Sequence, residues 1–394
     1  MKFYSTLNYP RWAIVNFIVL SIFGVLLRYM QLYDVSGIDY QFIMHAHSHF
    51  AFSGWIFFSI ALLIAPLCNG GKLSSSFKVI LLLALVSAYG MLVSFSWQGY
   101  KLISIGFSTL FVLVTFYFTY LVFKSNLLKD SVNSIAYKFI RGSLILLCLS
   151  ALGPFALGPL AAAGLQHSPY YHNAIYLYLH FQMNGFMLLA VVGLLASTMS
   201  VKLITVNQGR WLNIFIFSTI PLYFIFTLWN KPGNALWILA CIGTGLNLVG
   251  WLVLCFYYKG NWRYLSFLER AALIALTLKC IFQLLVCIPA IGNWTFLNRN
   301  LIIGYIHLLT LGVIMPLLIG QFIRTGLIKC CKLTATANIL YIILIVVYLC
   351  LLFIQPLLSL FSILIPNYQF LLFLLSISFI PVGILLLFKV QRTF

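Results

Sequence analysis

The chain has 394 residues, of which 63% are hydrophobic and only 7% are charged. About a quarter of the residues of a soluble domain are charged, so this composition excludes a soluble enzyme. It also excludes a nucleic-acid-binding domain despite the net charge of +19, because Lys and Arg lie in short loops between apolar runs. The runs are about 20 residues long, enough to cross a bilayer as a helix, and they lack the alternation of β-barrel strands.

Twelve transmembrane helices are predicted from these runs. The first is expected to be a retained helix, because no cleavage site for a signal peptide follows it. The connections are short, which predicts one polytopic membrane domain over residues 1–394 and an all-α integral membrane fold. In chain order the predicted helices cover residues 11–32, 42–68, 76–98, 102–124, 137–163, 172–199, 211–229, 232–258, 270–291, 299–321, 335–357 and 368–389.

The basic residues predict the orientation of these helices. With the N-terminus in the cytoplasm, 18 of the 23 Lys and Arg residues lie on the cytoplasmic side, as the positive-inside rule requires. Both termini are therefore predicted to be cytoplasmic, in a multi-pass protein of a bacterial cytoplasmic (inner) membrane. The five remaining basic residues are Arg28, Lys101, Lys231, Lys279 and Arg299, of which Lys279 lies in the middle of the ninth helix.

The sequence contains few of the residues and motifs that common catalytic mechanisms need. Only four residues are acidic, and none lies deep in a predicted helix, which argues against a carboxylate proton relay. There is no GxSxG motif, no phosphate-binding GxxxxGK[ST] loop and no CxxC pair. Histidine is the residue type that remains.

The seven histidines lie on or beside three helices that all run from the outside to the inside. The histidines of the second helix, His180 and His307 have a predicted depth of roughly 5–12 Å below the outer surface. A hydrogen bond to a backbone carbonyl would explain any one of them equally well. A metal or haem iron explains the group better, because almost no carboxylate is available to pair with buried imidazoles. They are His45, His47 and His49 on the second helix, His167, His172 and His180 around the start of the sixth, and His307 on the tenth.

Helical geometry orients several of these side chains. His45 and His49 are four residues apart and share a face, whereas His47 points away from them. His172 and His180 belong to one polar stripe of the sixth helix. A glycine also follows one histidine of each helix by five residues, which predicts close helix packing beside a cofactor. These pairs are His49 and Gly54, His180 and Gly185, and His307 and Gly312.

Three sequence blocks resemble the haem-copper oxidase subunit I superfamily, which includes cytochrome oxidases and nitric oxide reductases. The blocks are HAHSHFAFSGW (45–55), LHFQMNGF (179–186) and YIHLLTLG (305–312). The resemblance implies a twelve-helix fold with both termini cytoplasmic. It also implies a haem, expected to be haem b, held by His45 or His49 and by His307. A second metal, copper or haem, would lie near His180, with His47, His167 and His172 as further candidate ligands.

The sequence departs from that family at the oxygen-reducing centre. The seventh helix, residues 211–226, contains no histidine, so the copper ligands that the family places there are missing. Tyr305 stands where the ligand of the high-spin haem is expected. The pattern is more similar to the divergent, NnrS-like haem- and copper-containing membrane proteins linked to nitric oxide resistance.

These observations predict a haem-binding membrane redox protein. The expected role is electron transfer, or nitric oxide or oxygen chemistry of the oxidoreductase type, at a haem and copper site near the outer side. The expected partners are membrane lipid, a small redox protein or quinol, and a small gas ligand (NO or O2). The alternatives are a haem-free metal transporter or assembly factor that uses the same histidines, and a subunit that has lost its metals. The absence of a visible broken helix weighs against the transporter.

Overall fold

A computed structural model describes residues 8–125, 135–199 and 205–391. These residues form helices and turns without a β-strand, apart from one isolated antiparallel bridge between Ile328 and Val390. Eleven of the described helices are long and apolar enough to cross a membrane, and a bent helix pair raises the number to 12 if it is one span. The prediction of an all-helical, multi-span membrane protein is confirmed.

The helices follow the predicted runs closely, with ends that differ by a few residues. We number the spans in chain order and leave the short second half of the bent pair, Pro289–Leu297, without a number. The spans are α1 Tyr9–Tyr29, α2 Tyr40–Leu67, α3 Ser75–Gln98, α4 Leu102–Lys124, α5 Ile135–Ala162, α6 Pro169–Thr198, α7 Val206–Asn230, α8 Asn234–Tyr257, α9 Phe267–Val286, α10 Arg299–Arg324, α11 Lys332–Ser359 and α12 Tyr368–Leu387.

Two of the four acidic residues serve to begin helices. Asp39 caps α2, where its Oδ1 accepts hydrogen bonds from the backbone N–H groups of Gln41 at 2.7 Å and Phe42 at 3.2 Å. Glu269 closes a capping box at the start of α9 by accepting from the N–H of Ser266 at 2.7 Å. A carboxylate in the first turn satisfies otherwise unbonded N–H groups. Both carboxylates therefore have a structural role at the ends of helices.

The ninth span differs from its prediction. The sequence predicts one unbroken helix over residues 270–291, but α9 ends at Val286, and the short helix Pro289–Leu297 turns away from it by 108°. Proline has no N–H group and disfavours a helical residue before it. Ile288 is accordingly extended, with φ −74° and ψ 118°. The carbonyl of Cys287 is freed from the helix and accepts a hydrogen bond from Trp237 Nε1 at 2.8 Å.

The helices group into two compact units. The first unit comprises Met1–Leu127 and Leu318–Phe394, and the second comprises Leu128–Leu317. The first unit therefore holds α1 to α4, α11, α12 and the end of α10. The second unit holds α5 to α9 and the greater part of α10. The single domain expected from the sequence stays a prediction.

Burial separates α2 and α6 from the other spans. In each of these two helices, 89% of the most apolar stretch is buried within the protein, whereas the other spans except α9 range from 33% to 61%. A helix that faces lipid needs no protein around it, so low burial is expected for most spans of a membrane protein. The two helices that carry most of the histidines are thus the most enclosed.

Candidate functional site

His45 and His49 lie together on one face of α2, as predicted. Both imidazole rings contact Phe95, near the end of α3, and Tyr100, which precedes α4. The His49 ring stacks on Phe95 with ring centres 4.4 Å apart, and its Nε2 lies 2.7 Å from the hydroxyl of Tyr100. His45 meets the same tyrosine edge-on at 4.7 Å. Phe95 and Tyr100 therefore pack against both imidazole rings within the first unit.

His47 faces the opposite side of α2, which confirms the predicted geometry. It approaches α1 at Gly24, where a Cβ atom would lie 3.4 Å from His47 Cε1. The imidazole ring therefore packs against α1 at this glycine. His47 cannot share a ligand with the other two histidines of α2 without a change in the helix, because it points in the opposite direction.

His180 is the most deeply buried histidine, with 1% of its surface exposed. Its Nε2 lies 2.8 Å from the carbonyl of Thr219 in α7, and its Nδ1 lies 3.4 Å from the side-chain amide of Asn184. The arrangement assigns the ring proton to Nε2, which donates to Thr219, while Nδ1 accepts from Asn184. Protein atoms therefore satisfy both ring nitrogens.

A buried polar cluster extends from His180 across three helices of the second unit. Asn184 Oδ1 accepts from Gln283 Nε2 of α9 at 3.4 Å and from the hydroxyl of Tyr305 of α10 at 3.2 Å. Gln283 Nε2 also lies 2.7 Å from that hydroxyl. Buried amides need such partners because an unpaired polar group in an apolar interior costs about 1–3 kcal/mol. We refer to His180, Asn184, Gln283 and Tyr305 as the α6–α10 polar cluster.

Lys279 lies one turn before Gln283 on α9. Only 1% of its surface is exposed, so its amine does not extend to the membrane surface. No hydrogen bond joins the amine to a described residue, although it interacts electrostatically with His180. Lys279 therefore does not snorkel to the membrane surface.

Two further histidines of the second unit are exposed. His167 is exposed in the turn before α6, and His172 is exposed in the first turns of α6. The His172 ring faces Trp229 of α7, 5.6 Å away, and Tyr176 faces the same tryptophan at 6.3 Å. The predicted polar stripe of α6 is therefore confirmed, and it lies against α7.

His307 is half-buried on α10, and its Nδ1 lies 2.8 Å from the carbonyl of Ile303, one turn earlier. His172 Nδ1 makes the same contact with the carbonyl of Ser168 at 3.1 Å. A ring N–H bonded to a carbonyl fixes the neutral tautomer with its lone pair on Nε2. Histidines that ligate metals commonly carry this orienting hydrogen bond.

In each of α2, α6 and α10, a π-helical segment of seven residues follows a histidine. Elsewhere in the described helices no π-helical segment of this kind is found. In a π-helix the hydrogen bonds join residues i and i+5, which widens the turn. Such segments are rare overall, and those that occur are often found at functional sites. The segments are Ala51–Phe57 after His49, Phe181–Met187 after His180 and Leu308–Ile314 after His307. One backbone irregularity thus recurs at the same place in three helices.

The three predicted glycines all lie inside these π-helical segments. At Gly185, a Cβ atom would lie 2.8 Å from Cβ of Leu146 in α5, so the glycine permits close packing of α5 and α6. At Gly54, the widened turn exposes the backbone carbonyl, which accepts a hydrogen bond from Asn16 Nδ2 of α1 at 2.5 Å. The predicted role in helix packing is confirmed at these two positions.

The described residues contain no group of three or more His, Cys, Asp or Glu side chains placed to hold a metal ion. The three histidines of α2 belong to the first unit, and His167, His172, His180 and His307 belong to the second. The pairing of His45 or His49 with His307 around one haem stays a prediction. So does the second metal near His180.

No protein-family model matches this chain, and no curated protein matches it either.

Sequence reasoning missed the partners of His180. Asn184 follows it by one helical turn in the LHFQMNGF block, and that spacing alone indicates a shared face. Gln283 and Tyr305 are 99 and 121 residues from Asn184 in the chain. No pattern in the sequence brings them together, because only the packing of α6, α9 and α10 does so.

Proposed function

We propose that this protein is a haem-binding membrane redox protein related to the haem-copper oxidase subunit I superfamily. The observation that carries the proposal is the π-helical segment that follows a histidine in α2, α6 and α10. Such segments persist where a helix must present a side chain or a carbonyl in a particular direction. Their recurrence beside histidines favours one shared role for these three helices.

His307 fits the role of a haem ligand. Its Nδ1 donates to the carbonyl of Ile303, which orients the ring and leaves Nε2 as the atom that would bind iron. His45 and His49 are the corresponding candidates on α2, where Phe95 and Tyr100 hold both rings. A haem held by two histidines would supply one-electron transfer. The protein's own part would be to orient the imidazoles and to surround them with apolar side chains.

The second metal, copper or haem, is proposed near His180. To bind a metal through Nε2, the ring would release Thr219 and move its proton to Nδ1. His172, His167 or His47 would be further ligands. Reaction with NO or O2 requires an open metal position, so oxidoreductase activity depends on this second metal. Without the second metal, the protein would transfer electrons from a quinol or a small redox protein to an acceptor.

The proposed location is a bacterial cytoplasmic membrane, with both termini in the cytoplasm. The distribution of basic residues supports this orientation. The haem would then lie nearer the outer side, in contact with lipid-embedded helices.

A second candidate function is that of a haem-free metal transporter or assembly factor. The 108° bend after α9 favours it, because transporters often place broken helices beside their binding sites. The buried amine of Lys279, eight residues before the bend, is a further intramembrane polar group of the kind that marks functional sites. This candidate binds copper or zinc without the absorption bands of haem.

The visible spectrum of the purified protein, before and after dithionite, tests the proposal. We expect a Soret band that shifts on reduction and that is lost in His307→Ala, because this change removes an iron ligand. Gln166→Ala is the control, since Gln166 is exposed in the turn before α6, is not a candidate ligand and should leave the spectrum unchanged. A colourless protein without bound iron would exclude the haem. Copper or zinc found in such a protein would favour the transporter.

A further inference from the structure

Arg28, near the end of α1, is a buried cation in the first unit. Only 6% of its surface is exposed. A guanidinium stays protonated in proteins, so burial cannot be relieved by loss of the proton. The described residues form no ion pair with it, and the C-terminus of α1 offers only about half a negative charge. The positive charge of Arg28 is therefore not balanced by the described part of the chain.

The hydrogen bonds of Arg28 leave donors available. Nη1 donates to Gln31 Oε1 at 3.2 Å, and Nη2 donates to the hydroxyl of Tyr348 in α11 at 2.7 Å. The guanidinium has five N–H groups, so these two bonds do not use them all. The guanidinium carbon also lies 5.5 Å above the Tyr348 ring. No carboxylate of the described residues forms a salt bridge with the guanidinium.

Tyr368, at the start of α12, adds a further donor. Its hydroxyl oxygen is buried and has no hydrogen-bond partner among the described residues. The end of α1 and the start of α12 lie together, since the rings of Tyr29 and Phe373 are 5.9 Å apart. Tyr368 also interacts electrostatically with Arg28. An unmet hydroxyl beside an unbalanced guanidinium is complementary to an oxyanion, which accepts several hydrogen bonds and supplies the missing charge.

The position of Arg28 indicates which oxyanion would reach it. Arg28 is the second-last residue of α1, whose 21 residues are just long enough to cross the apolar core of a bilayer. Exposed Tyr29 and Tyr33 follow it, as is typical of the membrane surface. The connection between α11 and α12 also exposes large apolar side chains at Phe361 and Leu364. Arg28 therefore lies at the level where lipid phosphates are found.

We propose that Arg28, together with the hydroxyls of Tyr348 and Tyr368, binds the phosphate of an anionic lipid headgroup. This inference does not depend on the proposed haem. Arg28 neutralises the phosphate and donates hydrogen bonds to two of its oxygens. Tyr368 donates a hydrogen bond to a third oxygen. The lipid neutralises the buried guanidinium and joins α1 to α11 and α12.

Native mass spectrometry of the detergent-purified protein tests this site. Phosphatidylglycerol, phosphatidylcholine or sodium phosphate is added, and the bound species are counted. We expect phosphatidylglycerol to be retained in preference to phosphatidylcholine. Retention should fall roughly tenfold or more in Arg28→Gln, because a charge-assisted contact is lost. Lys101→Gln, which removes an exposed cation of the same unit, should retain the lipid.

Tyr368→Phe removes one hydroxyl without changing the charge, and it guards against a folding defect in Arg28→Gln. We expect weaker retention of phosphatidylglycerol in Tyr368→Phe with an unchanged unfolding temperature. Equal retention by the wild type and Arg28→Gln would overturn the proposal. So would occupation by inorganic phosphate without a preference for lipid. A loss of haem absorbance in Arg28→Gln with unchanged lipid binding would assign the cation to the haem instead.

Discussion

At the scale of single residues, the structure distinguishes histidines that the sequence treats alike. His180 has protein partners on both ring nitrogens, whereas His172 and His307 each use Nδ1 for a carbonyl of their own helix. The first arrangement satisfies a buried ring, and the second orients a ring for a ligand at Nε2. His172 and His307 therefore share the orienting hydrogen bond that is common among metal ligands.

Lys279 permits a test of whether the α6–α10 polar cluster holds a further polar molecule. If the buried amine has no partner, Lys279→Met should stabilise the protein by about 1–3 kcal/mol, because an apolar side chain of similar length needs no hydrogen bond. Thermal unfolding in detergent measures the effect. Leu278→Met, on the adjacent part of α9 that is 40% exposed, is the control and should change little. A destabilised Lys279→Met would instead show that the amine binds a water or ligand.

At the scale of helices, the irregular segments show where backbone groups leave the regular hydrogen-bond pattern. The π-helical segments of α2, α6 and α10 widen one turn after a histidine, and the break after α9 frees a backbone carbonyl for Trp237. An unsatisfied carbonyl is costly inside a bilayer, so each irregularity needs a protein partner. Asn16 supplies that partner for Gly54.

The contact of α5 with α6 gives a prediction at this scale. Gly185→Ala should destabilise the protein by about 1–3 kcal/mol, because the new Cβ would lie 2.8 Å from Cβ of Leu146. Gly158→Ala, also in this unit, has no atom within 4 Å of the new Cβ. It should be neutral or stabilising by about 0.5–1 kcal/mol, because alanine favours a helix. Opposite shifts of the unfolding midpoint are expected, and equal shifts would contradict the packing.

At the scale of the whole molecule, the orientation in the membrane is open to direct measurement. Cys330 is exposed between α10 and α11, on the side predicted to be cytoplasmic. A membrane-impermeant maleimide should therefore label it in spheroplasts only after permeabilisation. A cysteine placed at exposed Ser36, between α1 and α2, should be labelled without permeabilisation. The reverse pattern would invert the proposed topology and move the histidines to the cytoplasmic side.

The membrane class, the helix spans and the faces of the α2 histidines could be predicted from the amino-acid sequence. These features follow from local quantities, because apolar length sets a span and the 3.6-residue period sets a face. The break after Val286 was missed, although Pro289 marks it. Hydropathy does not register the missing N–H group, so the run reads as continuous.

Only the tertiary structure decided which polar groups meet. Arg28 and Tyr348 are 320 residues apart, and Asn184 and Tyr305 are 121 residues apart. Contacts of this range depend on how helices pack, which the sequence of each helix does not specify. The structure therefore found the buried Arg28 and the partners of His180, and it placed a π-helical segment after one histidine in each of three helices. The physical reason is that the burial and the hydrogen-bond partners of a side chain depend on the neighbouring helices. The length of a span and the face of a residue depend only on the sequence of its own helix.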